Sequence, residues 1–223
     1  MSENNKCKLT KNELRRIELF HSNSEELLAQ GYIQRDLTLD LVEANIKGTL
    51  YGIVLAVPFL VVYLLLLFFK GKSLFADGLD DASTFFRNYL IFFVILIMLI
   101  VVHELIHGIT WGLFSKGKLK SVEFGIIWRT MNPYCTCKEP LTRNTYLLGG
   151  LMPCILLGII PCIVAWFIQS GWILAMGLIM IISAGGDLLI AKLILDTPTS
   201  KNALYLDHPT TIGLVIFDRE QQL

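Results

Sequence analysis

Three residues of the sequence have the types and spacing of a metal-dependent hydrolytic site. His103, Glu104 and His107 form the pattern HExxH within VVHELIHGITWG. Residues four apart lie on one face of a helix, so both imidazoles can reach a single metal ion. Glu104 is turned from His103 by about 100° and can approach a water held by that metal. The metal would lower the pKa of this water, and the carboxylate could pass its proton to a leaving group.

The motif lies inside a long apolar run, which argues that it serves a function. An ionisable group near the centre of a bilayer costs on the order of 3 kcal/mol to insert. One alternative is that the two histidines and Glu104 only satisfy one another as hydrogen-bonding groups between helices. Another is a metal site that has lost its activity.

A catalytic zinc ion generally has three protein ligands and one open position, so a third ligand must be found. The candidates are Asp187, Asp196, Asp207, His208, Glu123 and Glu139. The histidines lie about 14 Å from the predicted cytoplasmic end of their span, and Asp187 lies about 12 Å from that end of a later, parallel span. We therefore predict Asp187 as the third ligand. We also expect the nearby small residues to bring the two helix faces together, namely Gly108, Gly112, Gly185 and Gly186.

The composition indicates a membrane protein rather than a water-soluble domain. Hydrophobic residues make up 54% of the 223 residues and charged residues 17%, against about 45–50% and 25% in ordinary globular domains. Four apolar runs are long enough to cross a bilayer, at residues 49–69, 89–114, 147–169 and 172–195. We predict a mainly α, polytopic membrane protein with four transmembrane helices, a small cytoplasmic β-hairpin and short terminal strands.

The distribution of lysine and arginine predicts the orientation of these spans. Basic residues concentrate in the N-terminal region 1–48, in the loop 115–146 and in the tail 196–223, whereas the opposite side holds only Lys70, Lys72 and Arg87. Because cytoplasmic loops carry the excess of basic residues, we place both termini and the long loop in the cytoplasm. The second and fourth spans then run in the same direction.

The cytoplasmic parts carry a few regular elements. The pattern predicts a helix over residues 11–29, strands over 32–41 and 213–217, and a hairpin formed by 122–128 and 134–137. The hairpin follows the HExxH span directly, so we expect it to present an extended peptide substrate by strand pairing. The alternative is a solvent-facing hairpin without a role in binding.

The remaining composition excludes some functions. The formal net charge is zero, which excludes nucleic acid binding by bulk electrostatics. Five cysteines are too few for a disulfide scaffold. Cys135 and Cys137 could bind a second metal, but no complementary CxxC or histidine pair exists in the sequence. Cys154 and Cys162 are interpreted as apolar packing groups.

These features together resemble a known family. HELIHG in one span, Gly-Gly-Asp at 185–187 in a later span and LLGGLMP at 147–153 are similar to the bacterial multi-span zincin peptidases, a family that resembles the intramembrane site-2 zinc metalloproteases. The resemblance implies a protein of the bacterial cell membrane with His103, His107 and Asp187 as zinc ligands and Glu104 as catalytic base. Site-2 proteases usually have Leu-Asp-Gly at the aspartate, whereas here Gly186 precedes it and Leu188 follows it.

The leading hypothesis is therefore an intramembrane zinc metallopeptidase that cleaves membrane protein or peptide substrates in the lipid bilayer. One rival is a non-catalytic metal-binding protein with a regulatory or immunity function. The retained Glu104 argues against it, because a structural zinc site needs no general base. A second rival is a metal transporter, which the absence of an internal sequence repeat disfavours.

Overall fold

The computed structural model describes residues 11–71, 82–127 and 132–219. Within these residues the chain is mainly helical, with two small antiparallel sheets. Cys7, most of the predicted outer loop and residues 128–131 of the predicted hairpin lie outside the described residues.

Seven α-helices are found among the described residues. They are α1 (Lys11–Ala29), α2 (Leu41–Lys70), α3 (Ala82–Phe114), α4 (Arg143–Pro153), α5 (Ile160–Ile168), α6 (Gly171–Ser183) and α7 (Gly185–Asp196), with a π-helical segment, Cys154–Ile159, that joins α4 to α5. Asp40 begins α2 by accepting a hydrogen bond of 2.9 Å from the Val42 amide. Gly71 ends it with a left-handed φ of 65° that disfavours other residues.

Three helical stretches are long and apolar enough to cross a membrane. They are Leu41–Lys70, Phe85–Phe114 and Arg143–Ile168. The first two contain the predicted spans 49–69 and 89–114, and the third covers the predicted span 147–169 except for its last residue. A fourth crossing would need α6 and α7 together, which meet at a bend of 47°. The prediction of a membrane protein rich in spanning helices thus agrees with the length and apolar character of these elements.

The fourth predicted span is not one continuous helix. The chain turns at Ala184, where ψ is 8°, and α7 begins at Gly185. The break lies where α2 comes closest, because a Cβ atom at Gly185 would lie 2.1 Å from the Gly48 carbonyl oxygen. The consequence is that Asp187 lies in the first turn of a helix rather than in its middle.

The predicted role of the glycines beside the motif is wrong for the described contacts. A Cβ at Gly108 would lie 2.3 Å from the Phe124 ring, and one at Gly112 would lie 2.8 Å from Leu119. A Cβ at Gly186 would have nothing within 4 Å. The glycines of α3 therefore admit the hairpin and the turn before it, and they do not bring α3 against α7.

The strands form a hairpin and a sheet that joins the two ends of the chain. They are β1 (Ile33–Leu39), β2 (Val122–Ile127), β3 (Asn132–Cys137), β4 (Leu141–Thr142), β5 (Leu204–Asp207) and β6 (Ile212–Asp218). The hairpin pairs β2 with β3, and the second sheet has the order β1-β6-β5-β4. The hairpin and the strands β1 and β6 were predicted, whereas β4, β5 and the pairing of β1 with β6 were not.

The central strand β6 connects the two layers on either side of its sheet. Leu214 and Ile216 are buried in a cluster with Trp111 of α3 and Tyr146 of α4. On the opposite face, Val215 packs in a cluster with Leu27 of α1. The sheet is therefore fixed directly onto the helix ends that carry the candidate site.

The register of the hairpin decides which backbone groups are free at its edges. The Lys138 amide donates a hydrogen bond of 2.7 Å to the Ser121 carbonyl, and Phe124 lies opposite Cys135. Hydrogen-bonded and non-hydrogen-bonded pairs alternate in an antiparallel ladder. The Phe124–Cys135 pair is therefore of the second kind, and the backbone groups of Cys135 point away from β2.

Candidate metal centre

The two histidines and Asp187 converge from two different helices. His103 and His107 lie one turn apart on α3, are 8% and 5% exposed, and have ring centroids 4.8 Å apart. The Nε2 atom of His103 lies 3.1 Å from Oδ2 of Asp187, and Nε2 of His107 lies 3.5 Å from Oδ1. All three candidate ligand atoms lie within 4.8 Å of one another.

This arrangement fits a tetrahedral zinc ion. Nitrogen and oxygen ligands lie about 2.0–2.2 Å from zinc, which separates tetrahedral ligands by about 3.3–3.6 Å. The observed contacts of 3.1 Å and 3.5 Å are close to these values. Two imidazoles and one carboxylate are also a ligand set of catalytic zinc sites, which keep a fourth position open. The residues present therefore fit zinc.

A backbone carbonyl sets the orientation of His107. Its Nδ1 atom lies 2.8 Å from the carbonyl oxygen of Gly149 on α4. Because a carbonyl oxygen only accepts hydrogen bonds, Nδ1 carries the proton and Nε2 keeps its lone pair for a metal. This contact is the outer-shell hydrogen bond that metal-binding histidines generally make.

An aromatic stack holds the same imidazole from the side. The ring of Trp111 lies 5.2 Å from that of His107 at an angle of 17°. The Trp111 indole N–H donates a hydrogen bond of 3.2 Å to the Tyr146 carbonyl. Space is tight here, since a Cβ at Gly149 would lie 2.1 Å from the indole nitrogen. The first turns of α4 are therefore fitted closely to the His107 side of α3.

The break between α6 and α7 explains how Asp187 is accommodated. The first backbone N–H groups of a helix have no partner within it and give its N-terminus a partial positive charge. Asp187 lies in this first turn of α7, so a negative carboxylate is favoured there. Its side chain is 26% exposed and lines the cavity beside the two histidines.

Glu104 lies on the hairpin side of the site. The backbone of Cys135 donates a hydrogen bond to its carboxylate, as expected from an amide that points away from β2. Burial raises the pKa of the Cys135 thiol well above its usual value and that of Cys137 to about 11. Both cysteines are therefore neutral thiols at neutral pH. Among the residues that the structure describes, neither belongs to a cluster of potential metal ligands.

A cavity of about 330 Å³ gives access to these groups. The helices contribute His103, Glu104, His107 and Asp187, the hairpin contributes Pro133, Tyr134 and Cys135, and the tail contributes Asp207, Ile212 and Gly213. The space is thus bounded by α3 and α7 on one side and by β3 and the C-terminal sheet on the other. It is large enough for a segment of peptide chain beside the metal ligands.

The other acids and His208 from the candidate list have other surroundings. Asp207 lines the cavity, but it accepts hydrogen bonds from the hydroxyls of Thr136, at 2.6 Å, and Tyr146. Burial raises the pKa of Asp207. Asp196 is ion-paired with Lys192. Glu139 accepts hydrogen bonds from the turn before β2, His208 accepts them from its own turn, and Glu123 lies on β2.

Sequence reasoning missed the groups that orient the site. The Gly149 carbonyl and the Cys135 amide are backbone groups, and their positions depend on helix packing and strand register. Trp111 could have been found, because it follows His107 by four residues and so lies on the same helix face. Asp207 was considered only as a ligand and not as an acceptor that joins β3 and α4.

Comparison with known proteins yields one family. Residues 96–201 match the model of the family described as "Putative zincin peptidase". The matched segment contains His103, Glu104, His107 and Asp187, and it ends before β5. The resemblance to this family is thereby confirmed. No curated protein was found to match the chain, and no solved structure was found to match it.

Proposed function

We propose that this chain is an intramembrane zinc metallopeptidase, because residues 96–201 match the model of the zincin peptidase family. Its proposed substrates are membrane-associated proteins or peptides. The proposed zinc ligands are His103, His107 and Asp187, and the proposed general base is Glu104. The observation that carries the proposal is the meeting of three ligand atoms within 4.8 Å, in a cavity that Glu104 also lines.

Each of these residues has a separate role in the proposed hydrolysis of the peptide bond. A bound zinc ion supplies a water of lowered pKa and polarises the peptide carbonyl. Glu104 takes the proton of this water and passes it to the departing amine. The hydrogen bond from the Cys135 backbone orients that carboxylate. The Gly149 carbonyl keeps the proton of His107 on Nδ1, so its Nε2 remains available.

The substrate is proposed to lie along the outer edge of β3. A peptide bond inside a helix is shielded, so it must be extended before hydrolysis. The backbone carbonyls of Pro133 and Cys135 point away from β2 by register and can accept hydrogen bonds from a substrate backbone, and both residues line the cavity. A peptide paired with this edge would lie beside Glu104. This arrangement would resemble a site-2 protease in placing an extended substrate at a metal site among membrane helices.

The proposed location is the bacterial cell membrane, with both termini in the cytoplasm. The packing of the soluble parts supports a common side for them. Arg16 of α1 donates a hydrogen bond of 3.1 Å to the Pro209 carbonyl of the tail, and Asn23 donates one of 2.7 Å to the Lys138 carbonyl after the hairpin. The described parts of the N-terminal region, the loop 115–146 and the tail therefore contact one another, which supports the proposal that they lie on one side of the membrane.

The experiment compares membranes of an expression host that produces the wild-type chain or Glu104→Gln. Protein termini are mapped by mass spectrometry, and zinc is measured in the purified proteins. We expect new termini in membrane proteins with the wild type only, since loss of a general base costs about 10²–10⁴-fold in rate, and equal zinc in both. Zinc in both with identical termini would instead favour the non-catalytic metal-binding protein.

A further inference from the structure

A second and larger cavity lies between the open end of the β1–β6 sheet and the ends of two membrane helices. Its volume is about 690 Å³, and its walls come from β1, the start of α4, the segment from α7 to residue 200 and the end of β6. None of its lining residues also lines the metal cavity. It is therefore a separate site.

Three arginines face this space, and two of them have unbalanced charge. The arginines are Arg35, Arg143 and Arg219. Asp218 lies 3.7 Å from Arg35 and forms its ion pair. Asp196, the other acid in the cavity wall, pairs instead with Lys192. Within the described part of the chain, no carboxylate forms an ion pair with Arg143 or Arg219.

Neutral contacts hold both of these guanidinium groups in place. Arg143 donates a hydrogen bond of 3.0 Å to the Ile194 carbonyl at the end of α7, while its buried Nε has no hydrogen-bond partner among the described residues. Arg219 lies 4.6 Å above the Tyr32 ring. These contacts restrict the side chains without neutralising them, and so they reduce the entropy cost of binding an anion.

Apolar side chains border the same cavity. Leu195 is 61% exposed and Ile33 is 46% exposed, and both line it. Arg143 is the first residue of α4 and Asp196 the last of α7, so the cavity lies where two spanning segments reach their cytoplasmic ends. A ligand that fits here is negatively charged at one end and apolar at the other.

We propose that this cavity binds the phosphate group of an anionic phospholipid at the cytoplasmic membrane surface. Arginine binds phosphate oxygens with paired, charge-assisted hydrogen bonds, and basic pockets between spanning helices on this side bind lipid headgroups. Arg143 and Arg219 contact the phosphate, and the acyl chains pass along Leu195 into the bilayer. The inference rests on the proposed membrane placement and not on peptidase activity.

The test uses the full-length chain, delipidated in detergent, with phosphatidylglycerol, phosphatidylcholine and inorganic phosphate as separate probes. Binding is measured by native mass spectrometry and by the shift in thermal unfolding. We expect the wild type to prefer phosphatidylglycerol. Arg143→Gln and Arg219→Gln each weaken that binding by about tenfold or more, because a hydrogen bond to a charged group contributes about 1.5–3 kcal/mol.

Arg15→Gln is the matched control, since it removes the same charge from an exposed position on α1 outside the cavity. Equal weakening by Arg15→Gln, or unchanged binding in Arg219→Gln, would overturn the proposal. Inorganic phosphate that binds as tightly as phosphatidylglycerol would overturn the assignment to a lipid. If Arg143→Gln fails to fold, Arg219→Gln decides the result alone. Zinc content stays unchanged in every folded variant, so failure here is distinguishable from failure of the metal site.

Discussion

The Nδ1 atom of His107 lies 2.8 Å from the carbonyl oxygen of Gly149, so the backbone of α4 sets the orientation of an imidazole on α3. The carbonyl accepts the Nδ1 proton and leaves Nε2 facing Asp187 at 3.5 Å. Three helices thus determine the position of one candidate ligand atom. The site depends on the packing of α3, α4 and α7 as much as on the HExxH spacing.

The contact between Gly149 and His107 gives the first prediction. Gly149→Ala places a Cβ 2.1 Å from the Trp111 indole nitrogen, so the α4 backbone must shift and the hydrogen bond to His107 is disturbed. Loss of such outer-shell contacts lowers metal affinity about 10–100-fold. We expect a decrease of this size in zinc affinity, measured by competition with a chelator.

The neighbouring residue provides the control for that substitution. A Cβ at Gly150 has nothing within 4 Å, so Gly150→Ala adds the same methyl group without a clash and should bind zinc as the wild type does. Equal affinity in the Gly149→Ala protein would show that the carbonyl contact does not orient His107.

Asp187 gives the second prediction. Asp187→Ala removes the carboxylate that approaches both histidines at 3.1 Å and 3.5 Å, which leaves only two protein ligands. We expect the purified variant to lose stoichiometric zinc by elemental analysis, while its helical circular dichroism is retained. Asp196→Ala removes an acid that is paired with Lys192 outside the site and should keep its zinc. Full zinc content in Asp187→Ala would mean that another group is the third ligand.

The sequence predicted most of the helices and the approach of Asp187 to His103 and His107, for a physical reason. The spacing of His103 and His107 places them on one face of any helix. The depths of these histidines and of Asp187 in their predicted spans follow from the rise per residue alone. The break at Ala184 could not be found in this way. It accompanies the approach of α2 through Gly48, and the apolar run itself continues across it.

The pairing of the strands in the C-terminal sheet could not be predicted from the sequence for a related reason. The strand β6 pairs with β1, from which it is separated by most of the chain, and such a partner has no local signal. The strand β4 has only two residues, too few for a periodic pattern. The position of Asp207 in the cavity wall depends on the pairing of β5 with β4 and β6, which the sequence pattern does not predict.

The third prediction concerns the pH dependence of the turn before the hairpin. Burial acts to raise the pKa of Glu139, but hydrogen bonds from the Ser121 hydroxyl and the Gly117 and Lys116 amides lower it below the usual 4.5. The folded state therefore favours the charged carboxylate. Its stabilising effect is present above pH 4.5 and is lost as the pH falls through the lower folded value.

The measurement is thermal unfolding of metal-free protein, so that loss of zinc at low pH does not contribute. Glu139→Gln should unfold at a lower temperature than the wild type at pH 7, and the difference should shrink as the pH falls below about 4.5. Glu18→Gln, at an exposed position on α1, should show no such trend. A difference that is independent of pH would indicate that the charge of Glu139 does not contribute.

The last prediction separates the two edges of the hairpin. Cys135→Pro removes the backbone N–H that points from β3 toward Glu104, without removing a hydrogen bond of the β2–β3 ladder, because this residue lies in a non-hydrogen-bonded pair. Because this N–H orients the Glu104 carboxylate, we expect the variant to lose the Glu104-dependent cleavage of membrane proteins and to retain zinc. Cys135→Ala keeps the N–H and should remain active. Ile126→Pro alters the opposite edge, on β2, and should also remain active. Loss of cleavage in Ile126→Pro but not in Cys135→Pro would show that the Cys135 N–H does not orient Glu104 and would place the substrate along β2.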